Sequence, residues 1–522
     1  MQNSEYAKLG YNVPEYDVDA MRKATKENPT WIHFGAGNLF RAFHANLAQN
    51  LLNNKEYDKG VVVVEGFDYE IVEKMYWPMD NKHILVTLKG DGSIEKTLVA
   101  GVAESLLLDE TNADQMTRLK EIFSNPSLQM VTFTITEKGY ALTDPAGNTL
   151  KGIEADYANG PDKVTSYIGK VASLLLTRYN AGKLPIAMVS TDNCSHNGDK
   201  LYNAMNGFAS AWAKNGFVEK GFEEYVNDKS KVSFPWSMID KITPRPDGDV
   251  KAILAKDGLE GLDGIVTSKK TYVAPFVNSE ETQYLVIEDA FPNGRPPLDK
   301  VGVYFTDKET VDKVEKMKVC TCLNPLHTCL AVSGCVLGYE KIADEMKDAD
   351  LVALIKQIGY VEGLPVVVDP KILNPKEFID TVIEKRLPNP FMPDTPQRIA
   401  TDTSMKLSIR FGETIKAYGA KAKDLKYVPM VFSLWLRYVM GINDKGEAFE
   451  LSPDPKMDYV KGFVKDLKLG DSNVDCVDEL LHDKDIFGVD LFEVGLADKV
   501  KDYFKSLIKG PGAVRETIHN SL

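Results

Sequence analysis

The segment KVCTCLNPLHTCLAV, residues 318–332, places Lys318, Asn324 and His327 in an otherwise apolar stretch with three cysteines, Cys320, Cys322 and Cys329. A lysine exchanges protons near neutral pH when burial or a neighbouring cation lowers its pKa. Asn324 and His327 lie three apart, so on a helix they share a face and can donate hydrogen bonds to one oxygen. An acid/base beside two such donors can move a proton to or from an oxygen while stabilising its negative charge. The cysteines raise a competing chemistry. Cys320 and Cys322 are two apart, and Cys329 follows seven later with His327 between. That spacing is not the Cys-x2-Cys of zinc sites, and cysteine is a good small core residue, so packing is expected here and no metal site.

These side chains need a scaffold. Lys318 is six residues before Asn324, so on an unbroken helix, at about 100° per residue, it would point about 240° away. Pro325 cannot donate to the carbonyl of Thr321. A π-bulge or helix break near residues 320–325 is therefore expected.

The N-terminal half has a different organisation. TWIHFGAG (30–37) is a short apolar run ending in glycines, followed by helical spacing over 38–53 and by VVVVEG (61–66), a run typical of a buried parallel strand. Residues 83–101 read as two strands around Gly90-Asp91-Gly92, residues 129–140 and 185–194 as further strands, and 162–180 as a helix. This alternation predicts an α/β fold: a Rossmann-type doubly wound N-terminal domain over residues 1–300. From about 300 onward, helical periodicity over 308–322, 326–340, 341–358, 375–386, 395–418, 426–440, 455–468 and 493–508 predicts a mainly α-helical C-terminal domain, 301–522.

Phe34, Gly35, Ala36, Gly37 and Asn38 sit where the first strand meets the first helix. Glycines there permit a tight turn and close approach to a pyrophosphate, while the helix N-terminus supplies N–H donors. The pattern is GxGxxF, with Phe40 in place of a third glycine, so context carries the reading: a site for NAD, with NADP the alternative. Glu65 and Asp68 are the candidates for the acid that binds ribose. Glu65 lies at the strand end, about where a ribose hydroxyl is reached, and a carboxylate there favours NAD by repelling a 2′-phosphate.

With 522 residues the chain is long enough for two or three domains, and its formal charge of −14 argues against nucleic-acid or anionic-membrane partners. The N-terminus does not read as a secretory signal, no uncharged apolar segment reaches the roughly 18 residues that span a bilayer, and six cysteines do not read as a disulfide scaffold. A reducing, cytoplasmic setting is expected.

Six segments in order, HFGAGNLFRAFHA (33–45), TITEKGY (134–140), STDNCSHNG (190–198), FPWSMIDKITP (234–244), MKVCTCLNPLHT (317–328) and RLPNP (386–390), resemble the polyol-specific long-chain dehydrogenases, the mannitol dehydrogenase family. The resemblance implies metal-independent hydride transfer between NAD(P) and a linear polyol or keto-sugar acid. It implies Lys318 as general acid/base, with Asn324 and His327 forming the oxyanion pocket. Family members usually read Lys-x4-Asn-x2-His with glycine after the asparagine; here there is one residue more, and Pro325 replaces the glycine. Thr136, Glu137 and Lys138 are assigned to the cofactor side, and Asn193 to a substrate hydroxyl or the nicotinamide ribose. Asp240 resembles the family's hydroxyl-binding aspartate. Arg386 is a candidate clamp for a terminal hydroxyl or carboxylate, and Lys406 and Arg410, four apart, add positive charge. The small-molecule partner expected is a sugar acid, with reduction of D-fructuronate by NADH as the leading reading. Mannitol/polyol 2-dehydrogenase, tagaturonate reductase or a non-catalytic nucleotide-binding protein are the alternatives.

Overall fold

The computed structural model describes residues 2–246 and 248–522, and the chain divides into two compact units, Met1–Leu88 with Ser93–Asp312, and Lys89–Gly92 with Lys313–Leu522. The first unit is built on six strands: β1 (Trp31–Phe34), β2 (Val61–Glu65), β3 (Val102–Leu107), β4 (Met130–Phe133), β5 (Ile186–Ser190) and β6 (Val232–Ser233). They pair in the order β3-β2-β1-β4-β5-β6, every pair parallel. This is the doubly wound dinucleotide-binding order, which reverses direction between β1 and β4.

The sequence explains why this sheet is central. Side chains alternate across a strand. Ile32, Phe34, Val62 and Val64 enter one core cluster while Trp31, Val61 and Val63 enter another. Both faces are therefore apolar, as a sheet covered on both sides requires. Full burial of each valine contributes about 1.5–3 kcal/mol of transfer free energy. After β1 the chain turns through Gly35–Gly37 into a π-helical turn, Phe40–His44, and then α1 (Ala45–Asn53).

Smaller sheets in this unit are less evident from sequence. His83–Leu88 and Ile94–Val99 form the expected antiparallel hairpin, but it joins Phe276–Glu280 and Tyr11–Asn12 in a mixed four-stranded sheet. Ser237–Asp240, Tyr284–Glu288 and Tyr304–Thr306 make a three-stranded sheet. The strand expected over 129–140 stops at Phe133, because Thr136 takes a left-handed φ of 65° and the chain closes a 3₁₀ turn at Glu137–Tyr140.

The second unit is helical. Its centre is α2 (Asn324–Leu337), nearly all of it buried, with α3 (Tyr427–Val439) packed on both α2 and α4 (Ala497–Leu507). The N-terminus of α3 is capped from a distance: Glu362 accepts the backbone N–H groups of Lys426, Tyr427 and Val428 at 2.5, 3.0 and 2.8 Å. A carboxylate there satisfies orphan donors and complements the helix dipole. The single helix expected over 395–418 is instead broken into Pro396–Ala400, a 3₁₀ turn at Thr403–Met405, a π turn at Ser408–Gly412 and Glu413–Tyr418. The break falls at Asp402, whose φ of 56° is incompatible with a continuing right-handed helix. The run Lys308–Leu337 is long and apolar enough to cross a bilayer by length and composition, but most of its apolar window is buried within the protein.

Candidate active site

On the first unit the glycine turn is held from three directions. Gly35 has φ 112°, and a Cβ on it would meet the Thr134 carbonyl oxygen at 2.3 Å, so only glycine fits. Its N–H donates to the Val64 carbonyl at 2.8 Å, and the Tyr76 hydroxyl donates to the Ala36 carbonyl at 2.8 Å. Phe34 and Ala36 are fully buried, whereas space is open around Gly37.

Glu65 is a brace. One carboxylate oxygen accepts the Ala36 N–H at 2.9 Å, and the other accepts those of Gly66, Phe67 and Asp68 at 3.0, 2.9 and 3.2 Å. This ties the glycine turn to the loop after β2. Asp68 differs. Its Oδ2 accepts from the Thr267 hydroxyl at 2.6 Å, but among the described residues its buried Oδ1 has no partner, and neither does the buried Oδ1 of Asn38 at the start of the helix. Buried acceptors left open are costly unless a donor arrives. Two such oxygens flanking a glycine turn fit the hydroxyls of a dinucleotide.

The loop after β4 is clamped by Asp192, which the sequence reading did not single out. Its carboxylate accepts the Ile135 and Thr136 N–H groups at 3.0 and 2.9 Å and the Tyr140 hydroxyl at 2.5 Å. Tyr140 in turn accepts from the Ser190 hydroxyl at 2.8 Å, which places one buried network at the C-terminal ends of β4 and β5. Burial raises the Asp192 pKa, opposed by those hydrogen bonds. Thr136, exposed and strained, sits at the edge of this clamp. Glu137 and Lys138 are exposed, Glu137 pairing with Lys200 at 2.8 Å, and Asn193 is exposed just after Asp192. Asp240 ends the strand Ser237–Asp240 and is buried.

On the second unit, the expected disturbance before Asn324 is present. Lys318–Cys322 is a π turn: the Leu323 N–H donates to the Lys318 carbonyl at 3.1 Å, five residues back. A π-bulge holds one residue more than an α turn, which matches the extra residue between Lys318 and Asn324. Leu323 then leaves helical geometry (φ −130°, ψ −61°), and α2 starts at Asn324 with Pro325 in its first turn, where its missing N–H costs nothing. Lys318 is buried, and Asn324 and His327 are partly buried.

The His327 Nε2 lies 3.6 Å from Asp394 Oδ2, too far for a hydrogen bond, and is buried without a partner. Burial pushes the His327 pKa down to about 4; Asp394 opposes this, and Arg410, Arg386 and Arg398 add to it. Burial thus favours the neutral ring, and its unpartnered nitrogen is suited to polarising a carbonyl. Arg386 is buried at the end of a second π turn, Val382–Arg386, and Arg410 lies on a third, Ser408–Gly412. Lys406 is partly buried; its pKa is lowered by burial and by Arg410, and its Nζ donates to the Thr401 carbonyl at 2.5 Å.

The cysteines pack. Cys322 and Cys329 are fully buried, and Cys322 Sγ contacts the Pro375 carbonyl at 3.6 Å. Burial pushes Cys322 and Cys335 up to about 12 and raises Cys329 as well, so these thiols stay protonated. Among the described residues no three His, Cys, Asp or Glu side chains gather as metal ligands.

A doubly wound sheet with a clamped glycine turn, together with a buried lysine, amide and neutral imidazole on one helical segment, defines an oxidoreductase of the dinucleotide-dependent class. The chain matches the mannitol dehydrogenase Rossmann domain over residues 29–300 and the mannitol dehydrogenase C-terminal domain over residues 310–508. It belongs to the mannitol dehydrogenase family, and is an NAD(P)-dependent dehydrogenase/reductase acting on CH–OH groups. A D-mannonate oxidoreductase of Thermotoga maritima is 52% identical over 521 residues, covering 98% of this chain and 96% of that one. A polyol:NADP oxidoreductase of Gluconobacter oxydans is 29% identical over 444 residues, 84% of each chain. The crystal structure of a D-sorbitol dehydrogenase in substrate-free form superposes with a TM-score of 0.80 at 25% identity, covering 97% of each chain.

Proposed function

We propose that this protein reduces D-fructuronate with NADH to D-mannonate, and runs the reverse oxidation. The carrying observation is His327: a neutral imidazole with an unpartnered edge, in the field of three arginines. An unpartnered ring nitrogen suits a carbonyl oxygen, and three guanidinium groups against the single carboxylate of Asp394 leave a positive field that suits a substrate that is also an anion. The 52% identity to a D-mannonate oxidoreductase supports the same reading.

When bound, the dinucleotide supplies or accepts the hydride. Asp68 and Asn38 would accept its ribose hydroxyls, Gly37 would leave room for the pyrophosphate, and Thr136, Glu137, Lys138 and Asn193 would border it. An acidic residue at the ribose favours NAD over NADP. On the substrate, Asn324 and His327 donate to the carbonyl oxygen, and Lys318 delivers the proton that turns the nascent alkoxide into an alcohol. In the oxidation Lys318 takes that proton back. Arg386 and Lys406 hold the remainder of the sugar chain. A cytoplasmic setting suits six cysteines that form no disulfide among the described residues.

A panel of hexuronates, ketoses and polyols, assayed with NADH and NADPH or their oxidised forms, tests the assignment. Highest kcat/KM with D-fructuronate and NADH is expected. Activity on mannitol or fructose with none on fructuronate or mannonate replaces it with a polyol 2-dehydrogenase, and activity on tagaturonate alone with a tagaturonate reductase.

A further inference from the structure

Among the described residues Arg410 is a cation without an anion. It sits on the π turn Ser408–Gly412, which packs against both the π turn of Lys318 and α2. Its Nη1 donates to the Thr328 hydroxyl at 2.5 Å. Thr328 directly follows His327 on α2, and Arg410 lies near enough to the His327 ring for its charge to act on it. The hydroxyl it meets is neutral.

No carboxylate among the described residues pairs with Arg410, and the neighbouring acids are engaged elsewhere. Asp394 is ion-paired with Arg398, and Asp454 accepts from the Ser404 and Lys456 N–H groups at 2.8 and 2.9 Å. Loss of hydration with no countercharge lowers the Arg410 pKa to about 10. The side chain is not sealed: it keeps some access to solvent, and among the described residues its Nε and Nη2 have no protein acceptor. A guanidinium presented this way offers two parallel donors, the geometry that binds a carboxylate through both oxygens. The neighbouring Lys406 is a poorer candidate, since its Nζ is already turned to the Thr401 carbonyl.

We propose that Arg410 binds the carboxylate of the sugar-acid substrate and so sets the preference for keto acids over neutral ketoses. This rests on the keto-acid reading above. The test is the ratio of kcat/KM for D-fructuronate to that for D-fructose, in the unmutated enzyme, Arg410→Gln and Arg410→Lys. Removing a charged partner from a desolvated pair predicts a ratio lower by about a hundredfold in Arg410→Gln. Arg410→Lys keeps the charge but loses the fork, and should fall by about tenfold. NADH affinity and thermal unfolding establish that each variant is folded; if the glutamine variant is not, the lysine variant decides. Ratios within about threefold of the parent in folded variants would overturn the assignment to Arg410 while leaving the keto-acid reading intact. A parent enzyme that itself prefers fructose would overturn the reading on which the assignment stands.

Discussion

At the scale of single residues, the chemistry depends on protonation states that burial sets. His327 has its pKa lowered to about 4, so it is neutral through the whole range in which a dehydrogenase is assayed. In the proposed reaction it is a donor, and no titration of kcat/KM above pH 5 should belong to it. His327→Asn, which keeps a donor, is expected to lower kcat/KM by about ten- to a hundredfold without moving either limb of the pH profile. An acidic limb that disappears in this variant would show that His327 titrates after all. Lys318, Asn324 and His327 could be chosen from the sequence because their types and spacing already describe proton transfer next to an oxygen. Asp192, Tyr140 and Asp394 could not, because nothing in their local sequence marks them. Their roles come from chain segments that only the fold brings together, such as Tyr140 and Asp192 fifty-two positions apart.

At the scale of elements, two devices position the site. The first is the glycine turn, legible because a strand, a Gly-x-Gly and an amphipathic segment follow one another. Gly35→Ala should cost about 1–3 kcal/mol or more in denaturant unfolding, since the left-handed φ and the Thr134 carbonyl both oppose a methyl group. A variant as stable as its parent would mean that the turn relaxes freely. On the same turn, Asp68→Ala should raise the KM for NADH by about tenfold or more and narrow the preference over NADPH, while Glu65→Ala should act mainly on stability. Equal effects of both on cofactor selectivity would contradict the division of labour between ribose ligand and brace. The second device is the π turn, which carries Lys318, Arg386 and Arg410 alike. The first of these was legible as a spacing with one residue too many. The others were not, because a π turn has no residue signature of its own, and 375–386 and 395–418 read as ordinary helical periodicity. The break at Asp402 was hidden for the same reason.

At the scale of the whole molecule, the helical second half and the doubly wound character of the first half followed from hydrophobic period and β-branched runs, while Val102–Leu107 and Val232–Ser233 of the parallel sheet were not read as strands. Nor were the accompanying short strands, because two- to five-residue segments such as Tyr11–Asn12 and Phe276–Glu280 carry too little pattern to be told from loops. Burial of histidine on this scale has a consequence for stability. His33 is held well below its ordinary pKa, His44 and His83 are lowered to about 3, and His327 to about 4, each chiefly by burial. Between the unfolded value near 6.5 and these folded values, the unfolded chain binds protons that the native state does not. Stability should therefore fall steadily as the pH drops below about 6.5, and level off for His44, His83 and His327 only near pH 3 to 4. Urea unfolding as a function of pH reads this out. A flat profile between pH 7 and 5 would show that the histidines are not neutral and buried in solution.

Lys318 is the proposed acid and base of hydride exchange in this chain. The most direct measurement is kcat for NADH oxidation on D-fructuronate by Lys318→Ala, alongside the NADH dissociation constant of the same variant. The account predicts a kcat lower by about 10²- to 10⁴-fold with NADH binding retained. Turnover at the parental rate would contradict it and remove Lys318 from the chemistry.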